Sequence, residues 1–160
     1  MGNTAVETPS DDLQTIESTY TVISYPASKL PDSYKNMIFS KWLRSLKYGN
    51  TYFKLIDNES YFAAYHKYVE MVIAKPETVV RLAVLSDDHD VVLGFSVARD
   101  NVLDYIHVQR DYRRESIGTS LIPAQMLVNK GEGYVITHLT TIGVSIWNSK
   151  LSKAIFNPFA

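Results

Sequence analysis

Residues 103–122, Leu-Asp-Tyr-Ile-His-Val-Gln-Arg-Asp-Tyr-Arg-Arg-Glu-Ser-Ile-Gly-Thr-Ser-Leu-Ile, concentrate the side chains of this protein that could do chemistry. An alternating apolar run ends at Val108, a polar turn carries the adjacent Arg113 and Arg114, and an apolar-periodic segment opens at Ser116-Ile117-Gly118. A strand that delivers a helix start in this way presents backbone N–H groups to an anion, and a glycine lets that anion come close. The spacing predicts a phosphate or pyrophosphate on the turn 113–119. Arg113 and Arg114 supply charge, and Ser116, Ile117, Gly118 and Thr119 supply backbone or hydroxyl donors. The alternative is a plain strand–turn–helix with a serine N-cap and a solvated arginine pair.

The same stretch resembles the acyl-coenzyme-A signature of the GNAT superfamily of N-acetyltransferases. There, a strand ending in Val is followed by Tyr-Arg-Arg/Gly-x-Gly-Ile-Gly-x-x-Leu. Val108, Tyr112, Arg113, Ile117, Gly118, Leu121 and Ile122 stand where that pattern places them, and Ser116 replaces its first glycine. A Cβ at that position strains a backbone that must curl around a diphosphate.

The resemblance implies acetyl-CoA as co-substrate and an amine that attacks it directly, with no covalent enzyme intermediate. It implies that strand 102–108 splays from strand 134–139 to receive the pantetheine arm. A backbone N–H near Ile106, His107 and Val108 would then polarise the thioester carbonyl. Asn148 corresponds to an asparagine that contacts pantetheine, and its other reading is an ordinary helix-surface residue. The tyrosine that the family commonly carries after this asparagine is missing from 148–156, which leaves Ser149 or Ser152 as donors.

An attacking amine must be neutral, so a base or a water relay is needed. Asp104 is the candidate, and by strand alternation it shares a face with Ile106 and Val108. An ordinary aspartate is a weak base, with a pKa of ~3.9, so it needs desolvation or a bound water. The other reading is a structural aspartate paired with Arg99. His107 points to the opposite face, toward a packed helix.

The elements that must position these residues can be read along the 160-residue chain. Residues 1–17 are polar and acidic and read as a tail. Residues 18–160 read as one domain. A β-branched strand over 19–25 stops at Pro26. One helix runs from Pro31 to near Gly49, and a second carries Phe62, Tyr65, Val69, Val72 and Ile73 on one face and stops before Pro76. Strands follow at 79–85, 91–98 and 102–108, with a hairpin turn over 86–90. A third helix is expected over 116 to about 129, kinked by Pro123, then a strand over 134–139 and a helix from 141 to about 153. The order β-α-α-β-β-β-α-β-α predicts a mixed α/β (α+β) fold, with a mostly antiparallel sheet flanked by helices. This is the GNAT order, short of the family's closing pair of strands, of which a short terminal strand around Phe156 is the part left open. The shortfall predicts an exposed edge near 134–139 and Trp147, and with it a symmetric homodimer.

Composition narrows the partners. Net charge is −1 and cysteine is absent, which removes thiol catalysis and Cys-ligated zinc. The four histidines show no metal-ligand spacing, so no metal site is expected. With no apolar run long enough to cross a membrane and no secretory pattern, the cytoplasm is the expected compartment. Six basic residues and one acidic residue lie between Lys29 and Lys54, interleaved with Trp42, Tyr48, Tyr52 and Phe53. Such a rim would suit an anionic or aromatic acceptor. Nucleic acid is not favoured, because the chain as a whole is not basic. The sequence therefore predicts an acetyl-CoA-dependent N-acetyltransferase acting on a small-molecule or protein amine. The competing reading is a non-catalytic module of the same fold, with or without CoA binding.

Overall fold

Proline and acidic caps set the helix boundaries in the first half of the chain. The computed structural model describes residues 20–113 and 115–160, so the expected tail 1–17 and Arg114 lie outside the described residues. Strand β1 (Tyr20–Pro26) ends at its proline. Helix α1 (Asp32–Gly49) starts directly after Pro31 with Asp32 in its first turn, where a negative charge suits the helix dipole. Ile38, Trp42 and Leu46 recur every four residues and are fully buried. Helix α2 (Asn58–Ala74) is capped by Asp57, whose carboxylate accepts the Ser60 N–H at 2.9 Å.

Strands β2 (Thr78–Leu85), β3 (Asp88–Arg99) and β4 (Val102–Val108) form the expected meander. The first turn is tighter than the sequence suggests. Only Ser86 and Asp87 make it, because β3 takes up residues 88–90.

Two expectations change in the second half, and the short terminal strand around Phe156 is present. The single helix over 116–129 is two helices, α3 (Glu115–Leu121) and α4 (Ala124–Val128). Pro123 lies at the break with extended backbone (φ −52°, ψ 131°), since a ring without an N–H cannot continue the helical ladder. Strand β5 (Val135–Ile136) is two residues long, not six. Helix α5 (Thr141–Lys150) is then followed by a further short strand, β6 (Ile155–Phe156).

The six strands lie in the spatial order β1-β2-β3-β4-β5-β6. The first three pairings are antiparallel, whereas β4–β5 and β5–β6 are parallel. The mixed, mostly antiparallel sheet is thus present, with the order extended to β-α-α-β-β-β-α-α-β-α-β. Strand β6 also covers β5, pairing Ile155 with Val135 and Phe156 with Ile136. The edge expected near 134–139 is therefore covered at 135–136, and the outer strand is Ile155–Phe156. Trp147 is half-buried, and its Nε1 donates to the Ala154 carbonyl at 3.0 Å.

Both faces of the sheet are covered. Helices α1 and α2 pack Trp42, Tyr61 and Val69 against Phe95, Val97 and Tyr105. On the opposite face Ile117 and Leu121 of α3 meet Ala83, Leu93 and Val108. Nearby, Ile122, Met126 and Leu151 close over Leu103 and Ile136. Among the described residues, no helix is long and apolar enough to cross a membrane.

Candidate active site

The site begins with a register shift. Tyr105 pairs with Val97 and Leu103 pairs with Ala98, so Asp104 is an extra residue in β4 and forms a β-bulge. The bulge resets the alternation of side chains along the strand. Leu103 faces α4, Asp104 and Tyr105 both turn to the α1–α2 face, and Ile106 and Val108 return to the α3 face. Asp104 therefore does not share a face with Ile106 and Val108, as strict alternation would require.

Beyond the bulge, β4 and β5 part. Their paired residues are Val102–Val135 and Leu103–Ile136, and the Thr137 N–H still reaches the Leu103 carbonyl at 3.2 Å. On the other side of β4 the Gln109 N–H bonds the Leu93 carbonyl at 2.8 Å. Antiparallel alternation then gives β3 the backbone groups of Tyr105 and His107. It turns those of Ile106 and Val108 toward the side from which β5 has withdrawn.

A cavity of about 490 Å³ opens there, lined by Ser45, Tyr48, Gly49, Ile106, His107, Val108, Arg110, Arg113 and Thr140. Its back wall is the last turn of α1, held against the chain after β5. The Asn50 side chain donates to the Leu139 carbonyl at 3.0 Å, and Gly49 approaches Thr140 so closely that a Cβ would stand 3.2 Å from its Cγ2. Among the described residues, two arginines and no carboxylate line the cavity. Arg113 Nε donates to the Val108 carbonyl at 3.1 Å, which sets its guanidinium at the strand end.

His107 also lines the cavity and is pushed down to about 4, mainly by burial, with Arg113 and Lys41 adding repulsion. It is neutral at pH 7 and a poor proton acceptor. Ser45 Oγ lies 2.6 Å from the Tyr105 hydroxyl, which burial raises well above the ordinary phenol range.

The remaining sequence candidates divide. Ile106, His107, Val108 and Arg113 come together at the cavity. Ser116 is exposed, and its carbonyl accepts the Tyr20 hydroxyl at 3.3 Å. Ile117 is core, and Thr119 is half-buried. Gly118 is buried, and a Cβ there would have ordinary contacts with Ile146 Cδ1 at 3.5 Å and Val108 Cγ2 at 3.9 Å. Asn148 is on the exposed side of α5. Arg114 lies outside the described residues.

Asp104 is fully buried and is not a cavity-lining residue. Arg99 holds it with two bonds, Nε to Oδ2 at 2.8 Å and Nη2 to Oδ1 at 3.1 Å. Thr137 Oγ1 and the Tyr68 hydroxyl reach Oδ1 at 3.0 and 3.3 Å. Sequence reasoning missed Ser45, Gly49, Arg110 and Thr140. Tyr48 lay within the basic, aromatic rim noticed between Lys29 and Lys54, the one available signal for this wall. Among the described residues, no three His, Asp or Glu side chains gather where they could hold a metal ion.

Neither a protein-family model nor a curated protein matches the chain. Solved structures do. A structure described as an acetyl transferase from Pyrococcus furiosus is similar over 81% of this chain and 89% of its own, with a TM-score of 0.54 at 18% identity. A ribosomal-protein-alanine N-acetyltransferase from Brucella melitensis gives a TM-score of 0.48 at 16% identity, covering 81% and 87%. A GNAT-family acetyltransferase from Staphylococcus aureus gives 0.42 at 21% identity, covering 64% and 60%. The strand order, the covered sheet and the similarity to the Pyrococcus furiosus structure agree: the chain has a GNAT-like acetyltransferase fold.

Proposed function

We propose that this protein is an N-acetyltransferase that uses acetyl-CoA as donor and a small-molecule or protein amine as acceptor. The observation that carries the reading is the parting of β4 from β5 immediately beyond the Asp104 bulge. It turns Ile106 and Val108 backbone groups toward a cavity of about 490 Å³. An extended pantetheine arm fits such an opening as a substitute strand, because strand backbone offers donors and acceptors at regular spacing. Arg110 and Arg113 lie where the strand ends and give the charge that a pyrophosphate needs. The turn 113–119 adds backbone donors, with Ser116 and Thr119 as hydroxyl donors.

In this reading one backbone N–H, that of Ile106 or Val108, donates to the thioester carbonyl oxygen and stabilises the negative charge it gains on attack, while the other pairs with the pantetheine arm. The amine nitrogen bonds to the carbonyl carbon, the carbon–sulfur bond breaks, and CoA leaves as thiolate. The proton lost by nitrogen is carried to sulfur by water. The cationic lining favours a neutral amine, since nearby positive charge lowers an ammonium pKa.

The test is calorimetric titration with acetyl-CoA, followed by thiol release with a panel of amines. Binding that weakens strongly in Arg113→Glu, together with amine-dependent thiol release, is the expected result. Binding without release for any amine would identify the non-catalytic module instead. No binding at all would overturn both.

A further inference from the structure

We infer that Asp104 and Thr137 form a pin at the vertex where β4 and β5 separate, which makes them positioning residues for the acyl donor. The inference rests on the acetyltransferase reading and adds to it what fixes the width of the opening. The last backbone bond between the two strands is Thr137 N–H to the Leu103 carbonyl. At the next position, where a regular ladder would continue, a side chain takes over. Thr137 Oγ1 lies 3.2 Å from the Asp104 carbonyl oxygen and 3.0 Å from its Oδ1. The bulge makes this reach feasible, because it turns the Asp104 side chain to the α2 face beside its own strand.

The pin is braced from three sides. Arg99 of β3 grips the carboxylate with two bonds and balances its charge. Tyr68 of α2 donates to the same carboxylate. His138 Nδ1 lies 2.9 Å from Thr137 Oγ1. A hydroxyl has one proton, so if Thr137 gives it to Asp104 the imidazole must donate through Nδ1–H. Asp104 and Thr137 are buried completely or nearly so, and His138 is 8% exposed. Buried, charge-balanced and multiply bonded, this cluster has one arrangement of low energy. It therefore fixes the angle at which β4 leaves β5, and with it the places of the Ile106 and Val108 N–H groups. An error of about an ångström there costs a positioned reaction heavily.

The experiment compares Thr137→Val, which keeps the shape and removes the hydroxyl, with Thr137→Ser, which keeps it. The expected result is that Thr137→Val raises the acetyl-CoA Kd and KM roughly tenfold or more while the amine KM is unchanged, and that Thr137→Ser restores both. A folded Thr137→Val that binds acetyl-CoA like the wild type overturns the pin alone. A wild type that does not bind overturns the acetyltransferase reading and the pin with it. Should Thr137→Val not fold, hydrogen exchange on the wild type decides. The pin requires a slow Thr137 amide beside fast Ile106 and Val108 amides, and equally fast exchange at all three overturns it.

Discussion

Trp42 lies face to face on Tyr105, with ring centroids 5.0 Å apart and planes 8° from parallel. The stack joins α1 to β4 one turn before Ser45, whose Oγ meets the Tyr105 hydroxyl at 2.6 Å. One tyrosine thus registers the helix on the strand twice, through its ring and through its hydroxyl. Burial raises the Tyr105 phenol, so it stays protonated and can donate to Ser45. The Ser45 hydroxyl in turn reaches the Trp42 carbonyl at 3.4 Å. Tyr105→Phe keeps the stack and removes one bond, for an expected loss of about 1 kcal/mol. Trp42→Ala removes the stack and leaves a cavity, for an expected loss of about 3–5 kcal/mol. Urea denaturation of both variants checks this, and equal losses would show that the hydroxyl, not the ring, joins the two elements.

Gly94 should accept no side chain. It sits opposite Val108 in the sheet, and a Cβ built on it would stand 2.6 Å from the His107 carbonyl oxygen and 3.2 Å from Val108 Cα. Both are backbone atoms of the strand that borders the cavity, so neither can rotate away. Gly94→Ala must push β4 outward, at an expected cost of about 1–3 kcal/mol in stability. Gly118→Ala is the contrasting variant. The fold leaves ordinary room for its Cβ, and alanine favours a helix over glycine. Thermal melts should therefore fall for Gly94→Ala and hold for Gly118→Ala. If acetyl-CoA affinity falls in the stable Gly118→Ala protein, the cause lies at the ligand and not in the fold.

Which of these features the sequence reveals depends on whether they are set locally. The strand ending at Val108, the polar turn with Arg113, the helix after it and the break at Pro123 all follow from residues close along the chain. The Asp104 bulge does not. It exists because Val97 and Ala98 on the neighbouring strand pair with Tyr105 and Leu103, a register that no pattern within β4 records. Strict alternation therefore puts Asp104 on the wrong face. The short β5 has the same origin, since residues 137–139 retain a strand-like sequence but have parted from β4. Ser45, Gly49 and Thr140 reach the cavity only through the docking of α1 on the chain after β5, a contact between residues about ninety apart.

Lys47 should be indispensable to the wall of the cavity although it does no chemistry. It is 2% exposed, and its ammonium donates to the carbonyls of Phe53, Lys54 and Ile56 while lying 5.4 Å from the Tyr61 ring centroid. These bonds fold the segment 50–57 back on α1 beside Tyr48 and Gly49. Lys47→Met preserves the stem and leaves carbonyls without a donor, each such loss costing about 1–3 kcal/mol when the group stays buried. The segment has an alternative, which is to open and let water satisfy them. Limited proteolysis should then cut Lys47→Met within 50–57 before the wild type is cut. An unchanged cleavage pattern would show that the segment holds without the ammonium.

Stability should fall in mild acid, and the two buried histidines predict where. Burial is the main cause that pushes both His107 and His138 down to about 4. Arg113 and Lys41 reinforce the shift at His107, whereas Asp104 opposes it at His138. In the unfolded chain a histidine titrates near ~6.5. Above that pH neither state holds the proton, so these residues give no pH dependence. As pH falls from ~6.5 toward about 4, the unfolded chain takes up protons that the native state refuses. The native state loses roughly 1.4 kcal/mol per pH unit for each histidine in that window. Between pH 6 and 5 the loss precedes most carboxylate titration, so it can be assigned. Thermal melts in buffers of constant ionic strength should show a falling Tm below pH 6.5, and His107→Gln should remove about half of that slope. The Gln ring replacement leaves Phe95, Lys41 and Arg113 in place but cannot take the proton. A His107→Gln protein as acid-sensitive as the wild type would place the loss on other groups and would remove His107 as a buried neutral imidazole.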